Sequence, residues 1–212
     1  MKKLLFWMVL IYSVAVILTS CSKDEESTTA ASTSVTSTTA SGSITVGSET
    51  MSGTYVSACN TTQFAAAAGS NFFPSDVKSG KTVIVVTSDT TISDEMLMYT
   101  DTSCSTPTAY TKNGNTSVTV GVASGSNYLV TYTSSTYKVQ ADTTVAVTHL
   151  EAYLLAATGS AVDLTVGTEH SISGSGNTYM NVWSVTSTTF QQGEEDRSTQ
   201  PTVIDSMVMT KE

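Results

Sequence analysis

Residues 128–141 read YLVTYTSSTYKVQA, and this stretch decides the fold class. Tyr128, Val130 and Tyr132 fall on one face of an extended chain, and Thr131 and Thr133 fall on the other. The same texture of Val, Thr, Tyr and Ser in short runs, cut by Gly, Asn and Asp, fills residues 51–212, one domain's worth of chain. It predicts strands over Gly53–Ala58, Lys81–Thr87, Ile92–Thr100, Thr108–Lys112, Ser117–Val122, Tyr128–Thr133, Thr136–Ala141, Asp163–Gly167, Thr178–Thr189 and Val203–Thr210. Turn signals separate several of them, at Ser88–Thr90, Asn113–Asn115, Ser124–Ser126 and Ser173–Asn177. Along Thr178–Thr189, Tyr179, Trp183 and Val185 share a face across Asn181. Two stretches break the pattern. Thr61–Ala68, with Phe64 and four alanines, predicts a short helix. Val145–Ala157, with Val147, Leu150, Leu154 and Leu155 three to four residues apart, predicts an amphipathic one. Ten short strands and two covering helices predict an all-β fold, an antiparallel sandwich or barrel.

The chain before this domain has a different character. Lys2 and Lys3 precede an apolar run from Leu4 to Leu18, which changes abruptly at Thr19, Ser20 and Cys21. About fifteen apolar residues fall short of the roughly 20 that cross a bilayer, so residues 1–20 read as a removable export signal. Leu18, Thr19, Ser20 and Cys21 resemble the lipobox of bacterial lipoproteins, which implies that the Cys21 thiol carries a diacylglycerol and becomes the mature N-terminus. Several acyl chains at ~0.8 kcal/mol per buried methylene make such an anchor stable. Ser22 is similar to an outer-membrane sorting position. The run Lys23, Asp24, Glu25, Glu26 resembles the tether signal of surface lipoproteins, or is simply a solvated linker. From Ser27 to about Thr50 the sequence is nearly all Ser, Thr, Ala and Gly with scattered Val and Ile, so residues 21–50 predict a disordered spacer that holds the domain about 30 Å from the lipid. Ile44–Val46 is its one strand-like point.

Removing residues 1–20 takes two lysines and no acid, so seven basic residues face eighteen acidic ones and the mature net charge is −11. That surface repels phosphate backbones and excludes nucleic acid as a partner. With Cys21 assigned to lipid, Cys59 and Cys104 remain as an even pair in an oxidising compartment and are predicted to be bonded. Two thiols leave no four-cysteine zinc site.

The segment Gly53, Thr54, Tyr55, Val56, Ser57, Ala58, Cys59 is similar to the opening strand of a large group of bacterial lipoproteins with no established activity. Tyr99 to Pro107, with Asp101 and Cys104, resembles that group's aromatic, Asp and Cys-x-x-Pro segment. Arg197, Pro201, Thr202 and the strand from Val203 to Lys211 resemble its last strand. The resemblance implies a single lipocalin-like antiparallel β-barrel and a Cys59–Cys104 bridge. Lipocalins carry Gly-x-Trp beneath a basic residue; Gly53 and Tyr55 stand in that pattern, with Lys211 as the cover.

No catalytic constellation is legible. His149 and His170 lie outside any paired-ligand spacing, and no G-x-S-x-G elbow, phosphate-binding loop or dinucleotide fingerprint is present. Asp94 and Glu95 are strand neighbours and point to opposite faces. Glu194, Glu195 and Asp196 lack the ordering of a calcium loop and read as solvated. No enzyme, metal or cofactor is therefore expected. Met96, Met98, Tyr128, Tyr132, Trp183, Met207 and Met209 are the large residues that would face a barrel interior. They either pack it dry or line a site for a small apolar or amphipathic ligand. The rival reading is a structural or adhesive envelope protein that presents Phe72, Phe73 and Pro74 as an exposed patch.

Overall fold

The computed structural model of the protein describes residues 35–212. The expected export signal, Cys21 and the expected spacer up to residue 34 lie outside the described residues. The described chain opens with a hairpin, β1 (Ile44–Val46) and β2 (Glu49–Met51). Then follow β3 (Thr54–Ser57), α1 (Thr61–Ala67), β4 (Ser79–Val86), β5 (Ile92–Tyr99), β6 (Pro107–Ser124) and β7 (Asn127–Ala141). The last elements are α2 (Thr144–Thr158), β8 (His170–Ser173), β9 (Thr178–Val185), β10 (Thr189–Gln192) and β11 (Met209–Lys211). Both expected helices form. Asn60 caps α1 by accepting from Gln63 N at 2.9 Å, Thr143 caps α2 by accepting from Ala146 N at 3.1 Å, and Gly159 ends α2 in the left-handed conformation.

Eight strands, β3–β4–β5–β6–β7–β9–β10–β11, form a closed antiparallel barrel. Each pairs with the next, and β11 returns to β3 with Lys211 opposite Tyr55. This up-and-down order leaves the barrel no open edge. At the closing pair the Lys211 ammonium stands 6.0 Å from the centre of the Tyr55 ring and donates to Ser52 Oγ at 3.0 Å. Gly53, at φ +83°, keeps the approach clear, since a Cβ there would sit 3.3 Å from Lys211 Cε.

Several predicted strands are redrawn. Asn113–Asn115 is not a turn but a bulge inside β6, where the register shifts between Gly114 and Asn115. A Cβ on Gly114 would meet Thr136 Oγ1 at 2.2 Å, so glycine serves close strand packing there. The two segments predicted on either side of it are one strand of 18 residues, and Tyr128–Thr133 and Thr136–Ala141 are likewise one strand of 15. Bulging lets β7 serve two neighbours, β9 along residues 128–133 and β8 along residues 136–139. Thr178–Thr189 instead breaks into a hairpin, because Thr186 Oγ1 accepts from the backbone N of Thr188 and Thr189. Asp163–Gly167 forms no strand, and Val203–Thr210 shrinks to β11.

The spacer expected to reach residue 50 ends sooner. Ile44, Val46 and Met51 are buried in one cluster with Tyr55, Ile84, Val86, Tyr132, Trp183 and Phe190, so the β1–β2 hairpin stoppers one end of the barrel. Gly47 turns that hairpin against Tyr128, whose ring a Cβ would penetrate. Apolar residues this sparse, set among hydroxylated neighbours, mimic a linker in the sequence. Upstream, Thr36 and Thr38 donate to Glu95, and Ser41 N donates to Val86 O at 2.8 Å. The opposite end is covered by α1, α2 and the loop between α1 and β4. Phe64 lies against Gly80, and Leu150 and Leu154 join Met96, Met98 and Tyr137 in a second cluster. Phe72, Phe73 and Pro74 are buried in that cap rather than exposed, with the two rings stacked 4.5 Å apart, so the adhesive reading loses its patch. Cys59 and Cys104 form a disulfide with Cα atoms 5.9 Å apart, tying the start of α1 to the β5–β6 loop.

Candidate functional site

Alternation and register place a band of polar side chains inside an otherwise apolar barrel. Asp94 pairs with Asn113 and Asn113 with Tyr137; Ile92 pairs with Asn115 and Asn115 with Ser134. Tyr132 and Asn181 enter the same band from β7 and β9. All of these residues are buried. A last member arrives from a loop. After β10 the chain crosses back over β9, with Gly193 N donating to Val182 O at 2.8 Å and Asp196 N to Met180 O at 3.0 Å. The crossing needs Gly193, since a Cβ would lie 2.4 Å from Val203 O. Glu195 is thereby turned inward, 6% exposed, and accepts from the Tyr132 hydroxyl. Asn181 fixes the arrangement: its Nδ2 donates to the Tyr132 oxygen at 3.1 Å, and its Oδ1 accepts from Val182 N and Gly193 N.

Burial raises the Glu195 carboxyl to about 8, the nearby Asp94 charge adds to the effect, and the Tyr132 bond only partly offsets them. The same causes, burial first and Glu195 second, lift Tyr132 well above the ordinary phenol range. Glu195 is therefore largely protonated at neutral pH. Two groups in and beside this band lack partners: Asn115, 1% exposed, leaves both Oδ1 and Nδ2 unbonded, and the Trp183 indole N–H has no acceptor. Each such group costs about 1–3 kcal/mol when left dry.

Beside the band a pocket of about 180 Å³ opens between α2, β7 and the β8–β9 turn. Tyr137, Tyr153, Leu154, Ile172 and Tyr179 form its walls, and Asn113 and Ser134 form its inner end. Ser134 Oγ donates to Asn113 Oδ1 at 3.2 Å, and Tyr179 stacks 6.4 Å from Tyr132. The pocket thus ends at the first residues of the acidic band. A second, larger groove of about 320 Å³ runs over the outside of the barrel beside Cys59 and the start of α1, and is polar and open.

No family model matches this chain, and no curated protein is significantly similar to it.

Met96, Met98, Tyr132, Trp183 and Met209 are buried in the two apolar clusters and pack against other side chains of the chain. Tyr128 is half-buried against the Gly47 turn. Met207 departs from expectation: it precedes β11 and borders the outer groove, because the last strand, expected from Val203, starts only at Met209. None of the seven lines the 180 Å³ pocket. Glu195 also departs from its solvated reading, although Asp196 beside it does close an exposed turn through Ser198 and Thr199. Asp94 and Glu95 do point to opposite faces, yet both are buried. Glu95 is held on the outer face by Thr36, Thr38 and Ser93, with Lys112 at 3.6 Å. His149 Nε2 bonds Asn71 O at 2.6 Å and braces α2 against the cap. His170 begins β8. Among the described residues no three His, Cys, Asp or Glu side chains gather as a metal-ligand set. One sequence signal for the acidic band existed: Asp94 shares its parity with the buried Met96 and Met98. Tyr179 shares its expected face with Trp183, whereas nothing local announces Glu195 or Tyr153.

Proposed function

We propose that the protein is a non-catalytic outer-membrane lipoprotein, anchored through acyl chains on Cys21, whose barrel domain binds a small amphipathic molecule in the pocket beside α2. The observation that carries the binding reading is that pocket: aromatic and aliphatic walls lead to the polar end made by Asn113 and Ser134. Its volume favours a ligand of one ring or a short chain, since a dry cavity of about 150 Å³ accommodates benzene. The anchoring reading rests on the basic, apolar and Leu-Thr-Ser-Cys succession of residues 2–21, and among the described residues no helix is long and apolar enough to cross a membrane. Whether the domain faces the periplasm or the outside, the tether works the same way.

Two measurements test this. Metabolic labelling with an alkyne fatty acid marks the wild-type chain, and Cys21→Ala abolishes the label and moves the protein to the soluble fraction; a label that persists in the variant refutes the anchor. Mass spectrometry of the full-length protein purified in detergent finds a bound small molecule that Tyr153→Trp, which fills the pocket, excludes. Equal occupancy in both proteins refutes the pocket as the binding site.

A further inference from the structure

The pocket beside α2 combines uncharged walls with one polar group that the fold leaves unused. Among the described residues that line it there is no Lys, Arg, His, Asp or Glu. A ligand of either charge would enter without a counter-charge, and an unpaired charge taken out of water is strongly disfavoured. The occupant these walls accept is therefore neutral. Tyr153, Leu154, Ile172 and Tyr179 offer rings and aliphatic surface to an apolar body.

The inner end adds the polar requirement. Asn113 stands on β6 directly opposite Tyr137 of β7, is 4% exposed, and still lines the pocket. Its Oδ1 accepts from the Ser134 hydroxyl at 3.2 Å. With the oxygen engaged in this way, Nδ2 is the side of the amide left over, and no described residue accepts from it. The Asn115 amide is sealed off with neither atom bonded; the Asn113 nitrogen is not sealed off, and the space it meets is the pocket. A donor held in so dry a setting with no acceptor is a group for a ligand to satisfy. It calls for an acceptor oxygen. A hydroxyl would bring a proton that needs an acceptor of its own, whereas a carbonyl brings lone pairs alone.

We propose that the pocket selects small neutral carbonyl compounds, ketones or esters built on a single ring or a short chain. The carbonyl oxygen accepts from Asn113 Nδ2, and the apolar body packs against Tyr153, Leu154, Ile172 and Tyr179. This rests on the reading of the pocket as a ligand site and names the chemistry of the ligand.

The test is titration of the full-length protein in detergent at neutral pH with acetophenone, ethylbenzene, benzoate and benzylammonium, each affinity corrected for partition into micelles. Binding is read from nitrogen–proton correlation spectra of protein labelled at asparagine, which report the Asn113 side-chain amide directly. Acetophenone binds about tenfold more tightly than ethylbenzene, which has nearly the same shape and no acceptor, and the two charged ligands bind weakest. Acetophenone shifts the Asn113 amide protons downfield, and ethylbenzene does not. In Asn113→Leu the ratio of ketone to hydrocarbon affinity falls to about one. Near-UV circular dichroism establishes that the variant is folded; where it is not, the wild-type ratio and the amide shift decide the matter, and the absence of either overturns the proposal. Equal affinity for ketone and hydrocarbon, or a preference that survives Asn113→Leu, overturns the carbonyl assignment and leaves an apolar site. Tighter binding of benzoate or benzylammonium overturns it as well. Failure of all four ligands to bind overturns both readings.

Discussion

Glu195 concentrates the molecule's pH sensitivity in one side chain. Its carboxyl is pushed from 4.5 in the unfolded chain up to about 8 in the fold, so between those values the folded state holds the extra proton. Stability is therefore complete below about pH 4.5 and is lost as pH rises through 8. The loss reaches about 5 kcal/mol, since each tenfold change in proton affinity is worth about 1.4 kcal/mol. Glu95, raised by burial as well, contributes with the same sign. Asp101 works in the opposite direction. Donors from Thr106, Ser103 and Ser105 hold it far below the carboxylate range, so its contribution is lost only on acidification and leaves the window above pH 5 clean. Urea midpoints taken from pH 5 to pH 9 fall for the wild type and stay much flatter for Glu195→Gln; parallel profiles would show that Glu195 does not carry the effect. A second test at this scale concerns Gly80. A Cβ there would lie 1.9 Å from the Phe64 ring, so Gly80→Ala forces that ring out of its site and costs about 1–3 kcal/mol in urea unfolding.

The β1–β2 hairpin behaves as a stopper, and Trp183 reports on it. Of the two tryptophans, Trp7 and Trp183, only Trp183 is among the described residues, and the proposed removal of residues 1–20 would leave it the one tryptophan of the mature protein. It is fully buried, 5.2 Å edge-on from Phe190. Met51→Ala is expected to cost about 2–5 kcal/mol and to shift Trp183 emission to the red as water reaches the loosened end; an unchanged spectrum would mean that the hairpin does not seal it. How elements showed through the sequence follows from the range of the forces that make them. The 3-to-4 spacing at Leu150 and Leu154 and the alternation at Tyr128, Val130 and Tyr132 are local, so α2 and the core of β7 were legible. Asn113–Asn115 imitated a turn because a bulge uses the same residue types, and only the partner strand tells the two apart. Of the site, Asp94 shared the parity of Met96 and Met98, whereas Glu195 reaches the interior through the backbone pairings of Gly193 and Asp196, which no nearby residue encodes.

At the scale of the whole molecule the Cys59–Cys104 bond is the one covalent constraint in the barrel, spanning 45 residues. Loop-closure entropy gives it a worth of roughly 4 kcal/mol, so Cys59→Ser/Cys104→Ser lowers the urea midpoint by that order, with the circular dichroism of the fold retained. A midpoint that does not move would mean the cap holds α1 and the β5–β6 loop together without sulfur. The seam where β11 meets β3 has a further consequence. Three residues far along the sequence, Met209–Lys211, complete a cylinder that was begun at Thr54. Until Met209–Lys211 pair with β3, a folding chain carries two unpaired rims that a second copy can extend. Loss of residues 209–212 would leave an incomplete cylinder prone to stacking edge to edge.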